Sequence, residues 1–330
     1  MKTLLLLIAI AVAAYFLYFN KSNEPEEKTA SAKAKTAAVS KKSPAKKEFA
    51  RPKASDFPEN TLCRKLMELN EKKFSYPLAE NDYYKYPESF NVRHGQLLIN
   101  RNKNILQDIR KLTKYTESGI NYTGDWDQEL PWLDSMRKVA HWLLISAEVN
   151  LFANRKDAAL KDFEDLSKIF DIFLSSNNSC IMHFIHAAFI DKTIRTVLQR
   201  CNFSENEKNN ILTMLPARQK YADNLRKAHA IEKKIIIYTQ NACKDNNKEV
   251  IESLLNFGGM TVQDVNKFKK IPSKRLNELF DKHYNKICDE FEAGTLTSKT
   301  KFNVGSPEEN TIMMKFVSPN GIIKLSQRLK

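Results

Sequence analysis

Glycine is scarce in this chain, which contains eight glycines among its 330 residues. In an average globular protein about 7% of the residues are glycine, roughly three times this share. Nucleotide-binding α/β folds need glycine at strand–helix turns, because the backbone there takes positive φ or closely approaches a phosphate. The chain contains no G-x-G-x-x-G, G-x-x-x-x-G-K-[ST] or G-x-S-x-G motif. These observations argue against Rossmann, P-loop and α/β-hydrolase folds.

Apolar residues at helical spacing dominate the chain from residue 56 onward. Residues 131–153 and 157–174 keep apolar side chains three or four positions apart, which predicts two amphipathic helices. Residues 180–200 are apolar nearly all round for three turns, which is typical of a helix covered on several sides. Alternation typical of a strand never extends beyond four or five residues. The sequence therefore predicts an all-α fold, either an irregular helical bundle or a short solenoid of helical hairpins.

Composition divides the chain into four segments. Residues 1–20 form a predicted transmembrane signal-anchor, and residues 21–55 are a tether rich in Lys, Ala and Pro. The tether cannot bury enough apolar surface to offset its ordering entropy, so we expect it to be disordered. Residues 56–294 are the predicted helical domain. Residues 295–330 read as a loop-rich tail that holds one short helix.

The predicted membrane segment is the apolar run from Leu4 to Phe19. A helix of these 16 residues would span about 24 Å, slightly less than the roughly 30 Å of a bilayer core. Snorkelling of Lys2 and Lys21 closes much of that gap. We expect an uncleaved single-pass anchor. The alternative is a signal peptide cleaved at the A-x-A-like site that begins at Ala11, which would release a secreted protein.

The orientation of the anchor is ambiguous in the sequence. Lys21, Lys28, Lys33 and Lys35 follow the apolar run, and the positive-inside rule would place them in the cytoplasm. Long domains, however, translocate largely regardless of their charge. An N-terminal apolar segment with a two-residue head commonly acts as an export signal. We therefore expect the bulk of the chain outside the cytoplasm, in the periplasm.

The chain is basic, with a formal net charge of +14. Residues 20–55 hold ten Lys or Arg residues and four Glu residues, so the excess is shared between the tether and the body. Such a balance is typical of a solvated basic surface. It also favours an anionic partner, either lipid headgroups, a wall polymer or nucleic acid.

One group of side chains has spacing suitable for metal ligands. Cys180, His183 and His186 are three positions apart and span about 120° of one helix face. Zinc accepts sulfur and imidazole ligands. His183 also shares an apolar stripe with Ala187 and Ile190, so a hydrogen-bonded core histidine is the competing interpretation. No other cofactor is indicated by the sequence.

Three charged residues lie within predicted buried helices. Asp191 and Arg195 are four positions apart, so they are expected to pair within one helix. Glu148 lies in the apolar run LLISAEVNLF, where a charge must find a partner. We expect it to meet Arg195 or His183 across helices. These residues are interpreted as a structural polar network rather than an acid–base pair, and without a catalytic motif the chain is not predicted to be an enzyme.

Two short helical motifs carry a resemblance to other proteins. The first is an L-P-x-L-x-x-x-R-x-x-A entry helix, matched by Leu130, Pro131, Leu133, Arg137 and Ala140. The second is an A-x-x-x-F-x-x-L helix, matched by Ala159, Phe163 and Leu166. Over about a third of its length the chain resembles uncharacterised all-helical proteins of planctomycete-type bacteria. That resemblance implies a helical fold behind a signal or anchor segment, and it implies no activity.

Three functional hypotheses follow from the sequence. The first is an anchored extracytoplasmic module that binds or scaffolds another envelope protein or an anionic polymer. The second is a helical protein that holds a metal with Cys180, His183 and His186. The third is a cytoplasmic protein, tethered to the membrane, that binds nucleic acid through basic residues such as those of KKSPAKK at 41–47. We favour the first hypothesis.

Overall fold

The structure is a computed structural model that describes most of the chain from Pro52 onward. The described residues are 52–72, 77, 86–87, 90–122, 130–176, 179–256, 259–302, 304–317 and 319–329. The predicted membrane anchor and nearly all of the predicted tether, residues 1–51, lie outside this description. Within the described part, no helix combines the length and apolar character needed to cross a membrane.

The described residues form an all-helical protein, as the apolar spacing predicts, and they contain no β-strand. Short 3₁₀ helices occupy Ala54–Asp56 and Lys111–Lys114. The α-helices are α1 (Leu62–Glu71), α2 (Val92–Arg101), α3 (Lys103–Arg110), α4 (Pro131–Phe152), α5 (Lys156–Leu174), α6 (Ile181–Arg200), α7 (Glu205–Met214), α8 (Arg218–Lys244), α9 (Lys248–Asn256), α10 (Val262–Lys270), α11 (Ser273–Glu292), α12 (Pro307–Val317) and α13 (Pro319–Arg328).

The described residues fall into two compact units. One unit comprises Gln240–Lys270, and the other comprises Pro52–Thr239 together with Ile271–Lys330. In the smaller unit, Gln240 donates a hydrogen bond to the carbonyl oxygen of Phe268 at 2.9 Å. This bond joins the end of α8 to α10.

Helix α4 lies at the centre of the larger unit. It packs against α1, α2, α3, α5 and α6. Every residue from Val139 to Asn150 is buried, so this helix is covered on all sides for about three turns. The sequence suggests α6 for this role, and α6 is indeed packed between α4, α7 and α13. The two apolar helices together form the core.

Helices α4 and α5 are joined by a tight turn built on Asn154. Its φ is +57°, a left-handed conformation that asparagine tolerates better than most residues. The Arg155 amide donates to the Asn150 carbonyl at 2.8 Å, and the Asn154 amide donates to the Leu151 carbonyl at 3.0 Å. This pair of bonds is a Schellman motif, which satisfies the last carbonyls of α4. In this glycine-poor chain, asparagine thus occupies a left-handed position that glycine usually occupies in other proteins.

The spacing predicts one helix over 93–117, and the structure divides this described segment into α2, α3 and a 3₁₀ turn. The break lies at Asn102, whose side chain donates to the Leu98 carbonyl at 2.8 Å. Side-chain amides of this kind compete with the helical hydrogen-bond ladder. Before the break, Gly95 lies between the Phe90 ring and α4, so that a Cβ there would clash with the ring and lie 3.2 Å from a methyl group of Val149. Glycine therefore permits the close approach of α2 to α4.

The prediction of a loop-rich tail over 295–330 is corrected by the structure, which places α12 and α13 there. The tail is held to the body by Arg218, at the start of α8. Its guanidinium donates to the Phe291 carbonyl at 2.8 Å, to the Ser326 carbonyl at 2.9 Å and to the Ser326 hydroxyl at 3.1 Å. Tertiary contacts therefore stabilise both short helices of the tail. The sequence by itself predicts only one of the two.

We expect Phe184→Ala to destabilise the protein by about 3–5 kcal/mol, because it removes a large buried ring and leaves a cavity. Phe184 is fully buried in α6, with its ring centroid 5.6 Å from that of Phe291. The matched control is Phe152→Ala, since Phe152 is 59% exposed. Denaturant unfolding of both variants tests this placement of the core, and equal small losses would contradict it.

Candidate functional site

The polar groups singled out by the sequence cluster along α6. At its N-terminus, Cys180 is the N-cap residue, and its sulfur accepts a hydrogen bond from the His183 amide at 3.4 Å. The first amide of the helix, that of Ile181, donates at 2.7 Å to the carboxylate of Glu232 on α8. A carboxylate is favourable at this end of the helix dipole. Two amides that the helix leaves unpaired are thereby satisfied.

Glu232 is an ionisable group in an unusual environment. Burial raises the pKa of its carboxyl to about 7, and the hydrogen bond from Ile181 opposes part of that rise. Glu232 was not among the candidate residues of the sequence, although a signal was present. Its neighbours on α8 at helical spacing, Ala228, Ile235 and Ile236, are apolar, and the packing of α8 across the end of α6 brings its carboxylate to the cap.

His183 is a core residue enclosed by aromatic rings. Its Nδ1 shares a 2.8 Å hydrogen bond with the hydroxyl of Tyr122. The imidazole stacks on Phe173, with ring centroids 4.3 Å apart and planes within 10° of parallel. Burial lowers the pKa of His183 to about 3. The neutral ring therefore acts here as a packing group with one polar contact.

Each of the three predicted metal ligands makes a hydrogen bond within the protein. Cys180 caps the helix, His183 contacts Tyr122, and the Nδ1 of His186 donates to the Met182 carbonyl at 2.8 Å. Burial raises the pKa of the Cys180 thiol to about 12, which disfavours the thiolate that a metal needs. In the part of the chain that the structure describes, no three His, Cys, Asp or Glu side chains are placed to hold a metal ion.

Glu148 is buried in α4, but its partners differ from those expected. The Tyr86 hydroxyl donates to one carboxylate oxygen at 3.0 Å, and Arg200 lies 3.3 Å from the other. Burial raises the pKa of Glu148 to about 6, against the opposing effects of Arg200 and Tyr86. The prediction of a contact with Arg195 or His183 is replaced by this ion pair. Arg200 lies five residues beyond Arg195, so the register of α6 against α4 decides the partner.

Asp191 and Arg195 form the expected pair within α6, with Nε 2.9 Å from the carboxylate. Asp191 is completely buried. Two further groups converge on it from distant parts of the chain: the Tyr221 hydroxyl at 3.4 Å and the Arg328 guanidinium at 4.0 Å. Glu148 is not part of this cluster. The structure thus divides the predicted network of Glu148, Asp191 and Arg195 into two separate sites.

A further buried carboxylate belongs to Asp162 on α5. Arg110 donates to one oxygen at 2.6 Å, and Asn150 donates to the other at 2.9 Å. Burial raises the pKa of Asp162, and hydrogen bonds from Ser146, Arg110 and Asn150 oppose the rise. Asp162 was not among the candidate residues of the sequence, although a signal was present. Asp162 lies three residues after Ala159 and four before Leu166, on the edge of the apolar stripe.

Two surface grooves are present among the described residues. One groove, of about 650 Å³, lies where the ends of α5 and α7 meet the start of α8, near Asp171, Met214 and Lys220. The other, of about 440 Å³, lies beside Arg110 and Lys161. Neither is lined by Glu148, His183, Asp191 or Glu232. The buried groups therefore serve helix packing in this arrangement.

No protein-family model, curated protein or solved structure matches the chain. The resemblance to helical proteins of planctomycete-type bacteria therefore stays a prediction.

We expect Glu232→Gln to change how stability depends on pH. In the folded protein this carboxyl holds its proton up to about pH 7, whereas its ordinary pKa is 4.5. The folded state therefore binds the extra proton between these values, and the wild type loses stability as the pH rises through that window. Glutamine retains an oxygen to accept the Ile181 amide but does not ionise. The variant should consequently gain stability, relative to the wild type, on going from about pH 5 to about pH 7.5.

Urea unfolding at the two pH values measures this effect. The matched control is Glu205→Gln on α7, whose carboxylate is 82% exposed, and its pH profile should follow that of the wild type. Parallel profiles for Glu232→Gln and the wild type would show that the charge at this cap does not affect stability.

We expect Asp191→Ala to cost about 3–5 kcal/mol, because it leaves a partly buried guanidinium without its carboxylate. The matched control is Asp281→Ala on α11. Asp281 pairs with Lys233 at 2.7 Å but is 36% exposed, and exposed pairs contribute about 0–1 kcal/mol. Unfolding free energies of the two variants provide the comparison, and similar values would refute a special role for the Asp191 cluster.

Proposed function

We propose that the protein is a membrane-anchored binding or scaffold module of the cell envelope, with its helical body outside the cytoplasm. The observation that carries this proposal is the order of segments along the chain. An uncharged apolar run, Leu4 to Phe19, is followed by a lysine-rich segment, and the first helix among the described residues begins at Ala54. Such an order is typical of a domain displayed on a tether.

The length of the tether supports a body that stays near the bilayer. Residues 20–51 number about 30, and a flexible chain of that length has an end-to-end distance of roughly 30 Å. A body held at this distance encounters membrane-bound partners at high effective concentration. Anchoring therefore favours partners that are themselves attached to the envelope.

The internal chemistry of the body supports a binding role over a catalytic one. The groups that the sequence offered for chemistry make internal contacts: Cys180 caps a helix, His183 stacks on a phenylalanine, and Asp191 pairs with Arg195. The stack of His183 on Phe173 joins α6 to α5, and the other two contacts stabilise α6 itself. A rigid helical framework of this type presents a constant outer surface to a partner.

We expect the full chain to remain in the membrane fraction after an alkaline wash and to be cleaved by trypsin added outside spheroplasts. Leu7→Arg combined with Ile10→Arg should abolish membrane retention, because each arginine costs about 2.5–3.5 kcal/mol in the centre of a bilayer helix. The control is Ala34→Arg combined with Ala37→Arg in the tether, which adds the same charge outside the apolar run and should leave retention unchanged.

Two other outcomes would contradict the proposal. Release of a shorter chain that begins after Ala13 would establish cleavage and secretion. Protection of the body from trypsin until the membrane is lysed would place it in the cytoplasm, as the nucleic-acid hypothesis requires.

A further inference from the structure

Helix α2, Val92–Arg101, is one of the least covered helices of the larger unit, since most of its residues are exposed. Gly95 is its only buried residue, through the contact with α4. Its apolar side chains Val92, Leu98 and Ile99 are half-buried, and Leu97 is 57% exposed. A single exposed leucine is ordinary on a protein surface, so the significance of Leu97 depends on the charged residues beside it.

Two arginines flank Leu97 on the same face. Arg93 lies four residues before it and Arg101 four residues after it, and residues four apart are neighbours on one side of a helix. Both arginines are exposed, as is Lys103 just beyond the break at Asn102. None of these three cations makes an ion pair with any described residue. We call Arg93, Leu97, Arg101 and Lys103 the α2 surface.

The chain around this surface is strongly basic. Residues 92–114 contain six Lys or Arg residues and one acidic residue, Asp108. Arg110 is tied to Asp162 and Lys111 to Asp108, whereas Lys114 is exposed at the end of the segment. Four cations in residues 92–114 make no ion pair with a described residue, and three of them belong to the α2 surface.

We propose that the α2 surface docks on an anionic lipid bilayer. Guanidinium groups bind lipid phosphates with two parallel hydrogen bonds. A leucine between two such groups can enter the boundary between headgroups and acyl chains, in the manner of an interfacial amphipathic helix. The combination of cations with an exposed leucine fits lipid better than a nucleic acid, which offers no apolar layer for Leu97.

This inference rests on the proposed anchoring in one respect: the anchor holds the helical body near the membrane. A single weak interfacial contact gives marginal binding by itself, whereas two linked contacts bind stably. With residues 4–19 in the bilayer, a tether of roughly 30 Å keeps the α2 surface within reach of the same membrane. The lysines of the tether would add to the attraction for anionic lipid.

The test uses the full chain reconstituted into lipid vesicles, with a fluorophore attached at Asn100→Cys. Asn100 is exposed, and it lies one turn after Leu97. The native cysteines, Cys63, Cys180, Cys201, Cys243 and Cys288, are all buried, so labelling is selective. Brominated lipids then quench the fluorophore only where residue 100 reaches the bilayer. We expect quenching in vesicles that contain phosphatidylglycerol and little in vesicles of phosphatidylcholine alone.

Matched variants separate the α2 surface from general charge. Arg93→Gln, Arg101→Gln and Lys103→Gln combined should reduce quenching to the level seen in neutral vesicles, because each cation near an anionic surface contributes roughly fivefold in binding. Lys274→Gln, Lys282→Gln and Lys299→Gln combined remove the same charge at exposed positions elsewhere in the larger unit. This control set should retain quenching. A fluorophore at Glu205→Cys on α7 should remain unquenched in both kinds of vesicle.

The possible failures are distinguishable. Flotation of the vesicles reports whether the chain is anchored. If the chain does not float with neutral vesicles, the anchoring is contradicted. The docking is not, because quenching in anionic vesicles reports on α2 alone. Flotation with both kinds of vesicle, without quenching at residue 100, would overturn the docking and leave the anchoring intact. Equal quenching in neutral and anionic vesicles would also overturn it. The docking would also be overturned if a photocrosslinker at residue 100 captured another protein, rather than lipid, in intact cells.

Discussion

The continuous burial of α4 is the constraint on which the larger unit depends. From Val139 to Asn150 this helix has no solvent-facing side, so α1, α2, α3, α5 and α6 must all pack around it. Burying it on every side also encloses polar groups such as Glu148, which then require partners from other helices. Tyr86 and Arg200 supply those partners. The apolar packing and the buried ion pairs are therefore two consequences of one arrangement.

The buried ionisable groups have opposite effects on stability. His183, with its pKa lowered to about 3, stays neutral while the unfolded histidine gains a proton near pH 6.5, so stability falls as the pH decreases below that value. Glu148 and Glu232, with pKa values raised to about 6 and about 7, retain protons that the unfolded chain has released. Their contribution to stability falls as the pH increases above 4.5. The two classes of group oppose each other across the weakly acidic range.

The same architecture determines what the surface offers to a partner. Gly95 holds α2 close against α4, and Asn102 ends that helix after Arg101. These two residues leave Leu97 and its flanking arginines on the outside, with their orientation fixed by the buried side of the helix. Together with an anchor and a basic tether, such a surface would give the protein a second contact with the membrane. The proposed module would then hold its remaining faces in a defined orientation toward envelope partners.

The sequence by itself determined the all-α class and most helix positions. Apolar spacing and local signals, such as Asn154 and the capping box of Ser204 with Glu207, act over a few residues and can be read directly. Only the tertiary structure decided which polar groups meet. Tyr86 and Glu148 are 62 residues apart, and Arg218 reaches Ser326 across 108 residues. Such pairs depend on the rotation and crossing of packed helices, which side-chain packing sets and local spacing does not encode. For that reason the helices α4, α5 and α6 were predictable, whereas the division of Glu148 from Asp191, the cap at Glu232 and the helices of the tail were not.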